Sequence, residues 1–201
     1  MDNLEHILRT GGAVILPTET VYGLFAQALN QEAVEQVYQL KQRPRDKAMN
    51  LNVADYETIL TFSKNQPDYL YKLYQQFLPG PLTIILQANN HVPAWINSGL
   101  STIGFRIPNH PRTLELIQKT GPLIGPSANI SNHDSGKVFA TIQNQFGQKI
   151  EGLVDDASLM GIDSTILDLS GVHARILRKG AITQKQLQES FPELIFDDNE
   201  N

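Results

Sequence analysis

The chain has 201 residues, with 16 Lys and Arg, 21 Asp and Glu, and no cysteine. Its net charge of −5 disfavours a protein that depends on non-specific attraction to a polyanion such as nucleic acid. Disulfides, thiolate zinc sites and a cysteine nucleophile are excluded. No stretch approaches the ~18 apolar residues of a membrane helix, so we expect a cytoplasmic protein with no membrane partner.

The spacing of apolar residues predicts helices that alternate with short strands. A first helix carries Leu4, Ile7 and Leu8 on one face and ends at the glycines 11 and 12, before a buried strand at 13–16. A second helix ends near Arg43, because the residue before a proline avoids helical backbone. Further helices are predicted at 55–64, 67–78, 111–120 and 184–190, and further strands at 82–86, 103–107, 123–125, 152–154, 165–167 and 174–177.

This order of elements indicates the fold class. Helices interleaved with short strands that are apolar on both faces predict a single α/β domain over residues 1–196, with helices flanking a twisted parallel or mixed sheet. Residues 197–201 are acidic, and we expect them to form a frayed tail without a catalytic role.

Polar segments adjoin four of the predicted strands, where ligands of α/β proteins commonly bind. They cover residues 17–23, 106–111, 125–129 and 161–165. Their Pro, Gly, Ser and Asn residues also form turns, so each segment alone is more typical of an ordinary turn.

A basic segment follows the second helix, with four cations in residues 41–47. A run of charges is usually a solvated surface, and we expect these cations to contribute little to stability. Lys41 nevertheless offers a compact ammonium group and Arg43 a planar guanidinium group, and the two together suit the binding of phosphate oxygens. The segment alone leaves both interpretations open.

Several familiar catalytic patterns are missing. The chain has neither a P-loop nor a dinucleotide fingerprint, and Asn129 replaces the last glycine of a serine nucleophile elbow. The five histidines lack metal-ligand spacing, so we predict no metal site built by the protein.

Seven segments, in this order, resemble the YrdC/TsaC family of threonylcarbamoyl-AMP synthases, to about Gly180. They are PTETVYGL at 17–24, KQRP at 41–44, PGPLT at 79–83, RIPNHP at 106–111, PSAN at 126–129, DST at 163–165 and ILR at 176–178. The resemblance implies a YrdC-like fold with an open basic cleft, in a short single-domain form. It also implies synthesis of L-threonylcarbamoyl-adenylate and pyrophosphate from L-threonine, bicarbonate and ATP, for modification of the tRNA adenosine beside the anticodon.

The resemblance also implies roles for individual residues. The ATP side would comprise Lys41, Arg43, Lys47, Thr102, Gly125, Ser127, Asn129 and Arg178, with Lys41 and Arg43 as the catalytic phosphate clamps. The threonine side would comprise Thr20, Asn52, Arg106 and Ser164. The guanidinium group of Arg106 would bind the α-carboxylate of threonine. Mg²⁺ would arrive with ATP rather than in a dedicated cage. No general base is required, because a carbamate oxygen is already an anion.

Three positions depart from the family pattern: Lys47 stands where some members have Asn, Asn52 where some have a threonine-contacting His, and Lys179 where others have Pro. The implied partners are the three substrates and downstream proteins that transfer the threonylcarbamoyl group to tRNA, with at most weak direct tRNA binding. Alternatives are an RNA-binding module and a same-fold paralogue with another substrate. A hydrogenase-maturation carbamoyltransferase is disfavoured, because those enzymes carry cysteine-rich zinc segments.

Overall fold

The computed structural model describes residues 2–131, 133 and 137–197. Its helices are α1 (Asn3–Arg9), α2 (Gln31–Lys41), α3 (Tyr56–Phe62), α4 (Leu70–Phe77), α5 (Ala94–Asn97), α6 (Pro111–Thr120), α7 (Phe139–Gln145) and α8 (Gln184–Ser190). Its strands are β1 (Val14–Leu16), β2 (Gly23–Gln27), β3 (Leu51–Asn52), β4 (Ser63–Lys64), β5 (Leu82–Ala88), β6 (Thr102–Arg106), β7 (Leu123–Ile124), β8 (Thr165–Asp168) and β9 (Arg175–Arg178). Of the predicted tail 197–201, only Asp197 lies within the described residues.

The strands form one mixed sheet in the order β1-β2-β7-β3-β6-β5-β8-β9, with β4 paired to β5. The β3–β6 and β5–β8 pairs are parallel. The other recorded pairs are antiparallel. The predicted α/β fold with a mixed sheet and flanking helices is therefore confirmed, although antiparallel pairs predominate.

Both faces of the sheet are buried, as β1 illustrates. Val14 and Leu16 pack with α1 and α6, whereas Ile15 between them belongs to the larger core on the other face. Successive side chains of a strand point to opposite faces, so a fully buried strand reads as a continuous apolar run. No helix among the described residues has the length and apolar character needed to cross a bilayer.

Three helix ends are fixed by local sequence. Helix α2 is preceded by the N-cap Asn30, whose side chain accepts from Ala33 N, and is followed by the C-cap Gln42 in the left-handed conformation (φ 49°). Helix α6 starts at His110, whose side chain accepts from Thr113 N, with a proline in the first turn. The cap at Gln42 fixes the start of the basic segment 41–47, and the cap at His110 fixes the chain just after β6.

Some predicted elements differ from the structure. The prediction of a strand at 152–154 is wrong: a single bridge joins Gly152 to Ile15. The helix predicted at 55–64 ends at Phe62, because Ser63 is extended and pairs with β5. Strands β2, β3 and β4 and helices α5 and α7 were not predicted.

Candidate functional site

A cleft of about 490 Å³ lies where the segments after β1, β6 and β7 and before β8 come together. Half of the sequence-predicted site residues line it, from both the proposed threonine and ATP sides: Asn52, Arg106, Gly125, Ser127, Ser164 and Arg178. Thr20 contacts Arg106 directly, and Lys41 and Asn129 contact Ser127. The fold therefore brings together residues that are far apart in sequence.

Arg106 anchors one end of the cleft from the last position of β6. Its Nη2 donates to Thr20 Oγ1 at 2.6 Å, Glu19 Oε1 at 3.0 Å and Thr18 Oγ1 at 3.3 Å. Its Nε is buried and has no hydrogen-bond partner among the described residues. A buried donor left without a partner costs about 1–3 kcal/mol, so an acceptor brought by a ligand would be favourable here.

The loop that carries these hydroxyls is held in place by its own side chains. Thr18 Oγ1 accepts from the backbone N of Thr20 and Val21 and donates to Val21 O at 2.7 Å. Glu19 Oε2 accepts from Asn109 N at 2.9 Å, so one carboxylate bridges Arg106 and the segment after β6. Hydrogen bonds within the protein therefore define the conformation of this loop.

Ser164 and Arg178 form the opposite wall. Ser164 Oγ lies 3.0 Å from Thr83 Oγ1 and accepts from Arg178 Nη2 at 2.9 Å. Arg178 Nε donates to Ser164 O at 3.0 Å, and Asp163 lies 3.9 Å from the same guanidinium. Burial lowers the pKa of Arg178, Asp163 opposes that shift, and the nearby Arg106 adds to it. Two guanidinium groups close enough to interact make this cleft suited to anions.

Gly180 allows this wall to form. A Cβ at this position would lie 2.5 Å from Ser164 C and from Thr165 N. Any residue other than glycine would therefore force the backbone to move. A glycine is required at such a close approach, because it alone has no Cβ.

Lys41 holds the Ser127–Asn129 loop from behind. It is the last residue of α2 and is 2 % exposed, so the expectation of a solvated cation is wrong for this residue. Its Nζ donates to Ser127 O at 2.5 Å and to Asn129 O at 2.6 Å. Burial, with a smaller effect of Arg43, lowers the pKa of Lys41 to about 7. Ser127 Oγ donates to Asn129 Oδ1 at 2.5 Å, which completes the loop.

We expect Lys41→Met to reduce the free energy of unfolding by about 2–3 kcal/mol, because it leaves two carbonyls behind the cleft without their donor. Chemical denaturation monitored by circular dichroism measures the change. Arg45→Ala is the matched control from the same segment, since its exposed pair with Glu35 contributes at most about 1 kcal/mol. Equal losses in the two variants would contradict a specific role for Lys41.

The remaining predicted residues do not line the cleft. Arg43 donates to Lys47 O at 3.1 Å and to Ala48 O at 2.8 Å, which ties the basic loop to the start of β3, while Lys47 itself is exposed. Burial lowers the pKa of Arg43. Thr102 begins β6, at the end opposite Arg106. Their contacts with ATP, and that of Lys41, remain predictions.

Sequence reasoning missed Asn50, which lines the cleft beside Asn52. Asn52 ends the short strand β3 and Asn50 directly precedes that strand, so extended backbone two positions apart places both side chains on the same face. An alternation of Asn, Leu and Asn after the basic loop was the signal that could have revealed it. Thr83, beside Ser164, was also missed as a site residue.

Within the described ranges, His, Asp and Glu side chains form no group of three that could hold a metal ion. The arrangement offers hydroxyls, amides and guanidinium groups instead. Such groups bind and orient anions, and they form no covalent bonds to the substrates.

Comparisons with known proteins agree with this geometry. A family model named for Sua5, YciO and YrdC, with the description "Telomere recombination", matches residues 6–180. A threonylcarbamoyl-AMP synthase of Pyrococcus abyssi is 35 % identical over 189 residues, which cover 93 % of this chain and 56 % of that protein. One of Bacillus subtilis is 35 % identical over 185 residues, covering 90 % and 54 %. The chain thus spans about half the length of these relatives.

A solved structure is similar over nearly the whole chain. The structure of P. abyssi Sua5 complexed with L-threonine superposes with a TM-score of 0.90 at 34 % identity, covering 96 % of this chain and 58 % of that one. The likeness therefore extends from the sequence motifs to the fold that positions the cleft.

Proposed function

Because the chain belongs to the Sua5, YciO and YrdC family, we propose that it is a nucleotidyltransferase that makes L-threonylcarbamoyl-adenylate. The substrates are L-threonine, bicarbonate and ATP, and the product serves threonylcarbamoyladenosine formation in cytoplasmic tRNA. The observation that carries the proposal is the pair of guanidinium groups in one cleft, Arg106 beside the hydroxyl of Thr20 and Arg178 beside that of Ser164. The relatives named threonylcarbamoyl-AMP synthase support the choice of reaction.

The threonine side requires a cation and short polar groups. Arg106 binds the α-carboxylate, and its buried Nε supplies a donor that has no partner among the described residues. Thr20, Ser164 and Asn52 are buried at the cleft and supply groups for the threonine hydroxyl. The amine then reacts with bicarbonate, giving the carbamate and water.

The nucleotide side orients ATP for attack on its α-phosphorus. A carbamate oxygen forms a bond to that phosphorus while the bond to pyrophosphate breaks, and no net proton is transferred in this step. Such a reaction requires mainly positioning and cations from the protein. Arg178 and the Gly125–Ser127 segment line this part of the cleft, and Mg²⁺ enters as part of the substrate MgATP.

Mass spectrometry tests the proposal directly. The purified protein is incubated with ATP, Mg²⁺, threonine and ¹³C-bicarbonate, and the expected product is threonylcarbamoyl-adenylate with one added ¹³C. Reactions that lack threonine or bicarbonate are the controls. Pyrophosphate release that needs neither compound would contradict the proposal.

We expect the protein alone to make the adenylate but not to modify tRNA, because its net charge of −5 disfavours tRNA binding. The measurement is nucleoside analysis of tRNA incubated with this protein and all three substrates. Threonylcarbamoyladenosine in that tRNA, without added transfer proteins, would show that this expectation is wrong and would favour the RNA-binding alternative.

A further inference from the structure

Asn50 lies in the floor of the cleft between two glycines. Leu51 pairs with Phe105 on one side and Ile124 on the other, so the preceding residue, Asn50, lies beside Gly104 and Gly125. A Cβ on Gly104 would collide with Asn50 Oδ1. The side chain of Asn50 thus occupies space that the missing side chain of Gly104 leaves open.

The amide of Asn50 is available to a ligand. It lines the cleft and is half-buried, and no side-chain hydrogen bond joins it to the residues that the structure describes. A primary amide has two donor hydrogens and an acceptor oxygen. When a ligand fills the cleft and excludes water, it is unfavourable for these groups to have no hydrogen-bond partner. These observations point to a ligand with both an acceptor and a donor.

The position of Asn50 indicates which part of the substrates it meets. Asn52 is level with Arg106, at the threonine end, and Asn50 is two residues earlier on the same face. Strand β7 runs antiparallel to β3, so the Gly125–Ser127 segment leads away from Arg106 towards the proposed nucleotide end. Asn50 therefore lies between the two ends, where the carbamate must meet the α-phosphorus.

We propose that Asn50 binds the carbamate group of N-carboxy-threonine, an inference that rests on the proposed function. A carbamate presents an N–H beside one of its oxygens, and a primary amide matches this edge: Oδ1 accepts from the N–H, and Nδ2 donates to the oxygen. The second carbamate oxygen stays available to attack the α-phosphorus. Asn50 therefore fixes the planar group in the orientation that the reaction needs.

The test uses Asn50→Leu, which keeps the approximate shape of the side chain and removes both hydrogen-bonding groups. We expect kcat/KM for bicarbonate, at saturating threonine and ATP, to fall about 10- to 100-fold, as for the loss of hydrogen bonds to a charged group. Binding of threonine alone and of ATP alone, measured calorimetrically without bicarbonate, should be unchanged. Asn3→Leu, on the exposed face of α1, is the control.

Asn50→Asp provides a second measurement should the leucine variant fold poorly, which thermal unfolding reveals. It keeps the shape but places a carboxylate against the carbamate, so we expect a loss at least as large. Unchanged kcat/KM for bicarbonate in either folded variant would overturn the inference, as would an equal loss of threonine affinity without bicarbonate. A wild-type protein that makes no adenylate would refute the proposed function as well, whereas an active wild type with an unaffected variant refutes this inference alone.

Discussion

With valine in place of threonine, kcat/KM for pyrophosphate release is expected to be lower by ~10⁴-fold or more. Valine has the shape of threonine but no hydroxyl. The polar groups proposed to bind that hydroxyl are almost fully buried, with Thr20 at 0 %, Ser164 at 1 % and Asn52 at 3 % exposure. A methyl group cannot make the hydrogen bonds proposed for the threonine hydroxyl in this buried site, and their loss produces the discrimination.

Serine is the informative comparison, because it keeps the hydroxyl and loses only a methyl group. The missing methyl is worth about 1–3 kcal/mol, or roughly 10- to 200-fold in kcat/KM. Each amino acid is assayed over a concentration series at saturating bicarbonate and ATP. Valine turning over as well as serine would mean that the pocket selects shape alone, and the assignment of the threonine side would be wrong.

Arg106→Gln is expected to weaken threonine binding by about 2–4 kcal/mol, or roughly 30- to 1,000-fold. It removes the proposed carboxylate partner and leaves Glu19, which is 12 % exposed at its side chain, without its cation. Isothermal titration with threonine measures the affinity, and thermal unfolding measures the accompanying loss of stability. Arg106→Lys should recover little, because a point charge cannot replace the planar fork.

Arg112→Gln is the matched control for Arg106, since Arg112 lies on α6 and pairs with Glu115 near the surface. Its threonine affinity should equal that of the wild type. An Arg106→Gln protein that folds and binds threonine normally would show that the carboxylate is bound elsewhere in the cleft.

The sequence singled out Arg106 and Ser164, which the fold brings to one cleft, because each adjoins a strand whose apolar pattern is clear, whereas their role in binding threonine stays a prediction. Arg106 ends a strand predicted at 103–107, and Ser164 directly precedes one predicted at 165–167. Their meeting depends on the topology: β5 is antiparallel to β6 and parallel to β8, so the end of β6 and the start of β8 lie at the same edge of the sheet. The fold class could be predicted because the apolar runs of the strands alternate with helical patterns.

The burial of Lys41 could not be predicted, since a lysine before Arg43 and Pro44 reads as the start of a solvated basic loop. Its environment depends on the Ser127–Asn129 loop, more than 80 residues away in sequence.

Strand β2 was missed because Gly23 and Leu24 were interpreted as the end of a polar motif. The pairing that makes them part of a strand comes from β1 and β7. Contacts that are distant in sequence override such local patterns.

The parallel pairing of β5 with β8 determines when the cleft is completed during synthesis. It joins Leu82 to Thr165, and Ser164 and Arg178 reach the cleft only when β8 and β9 have docked. Pairings between distant segments form slowly, because a long loop must close first. A nascent chain that already contains Thr20, Arg106 and Ser127 would therefore still lack one wall of the cleft. All walls of the cleft are therefore present only once β8 and β9 have been synthesised and have docked on β5.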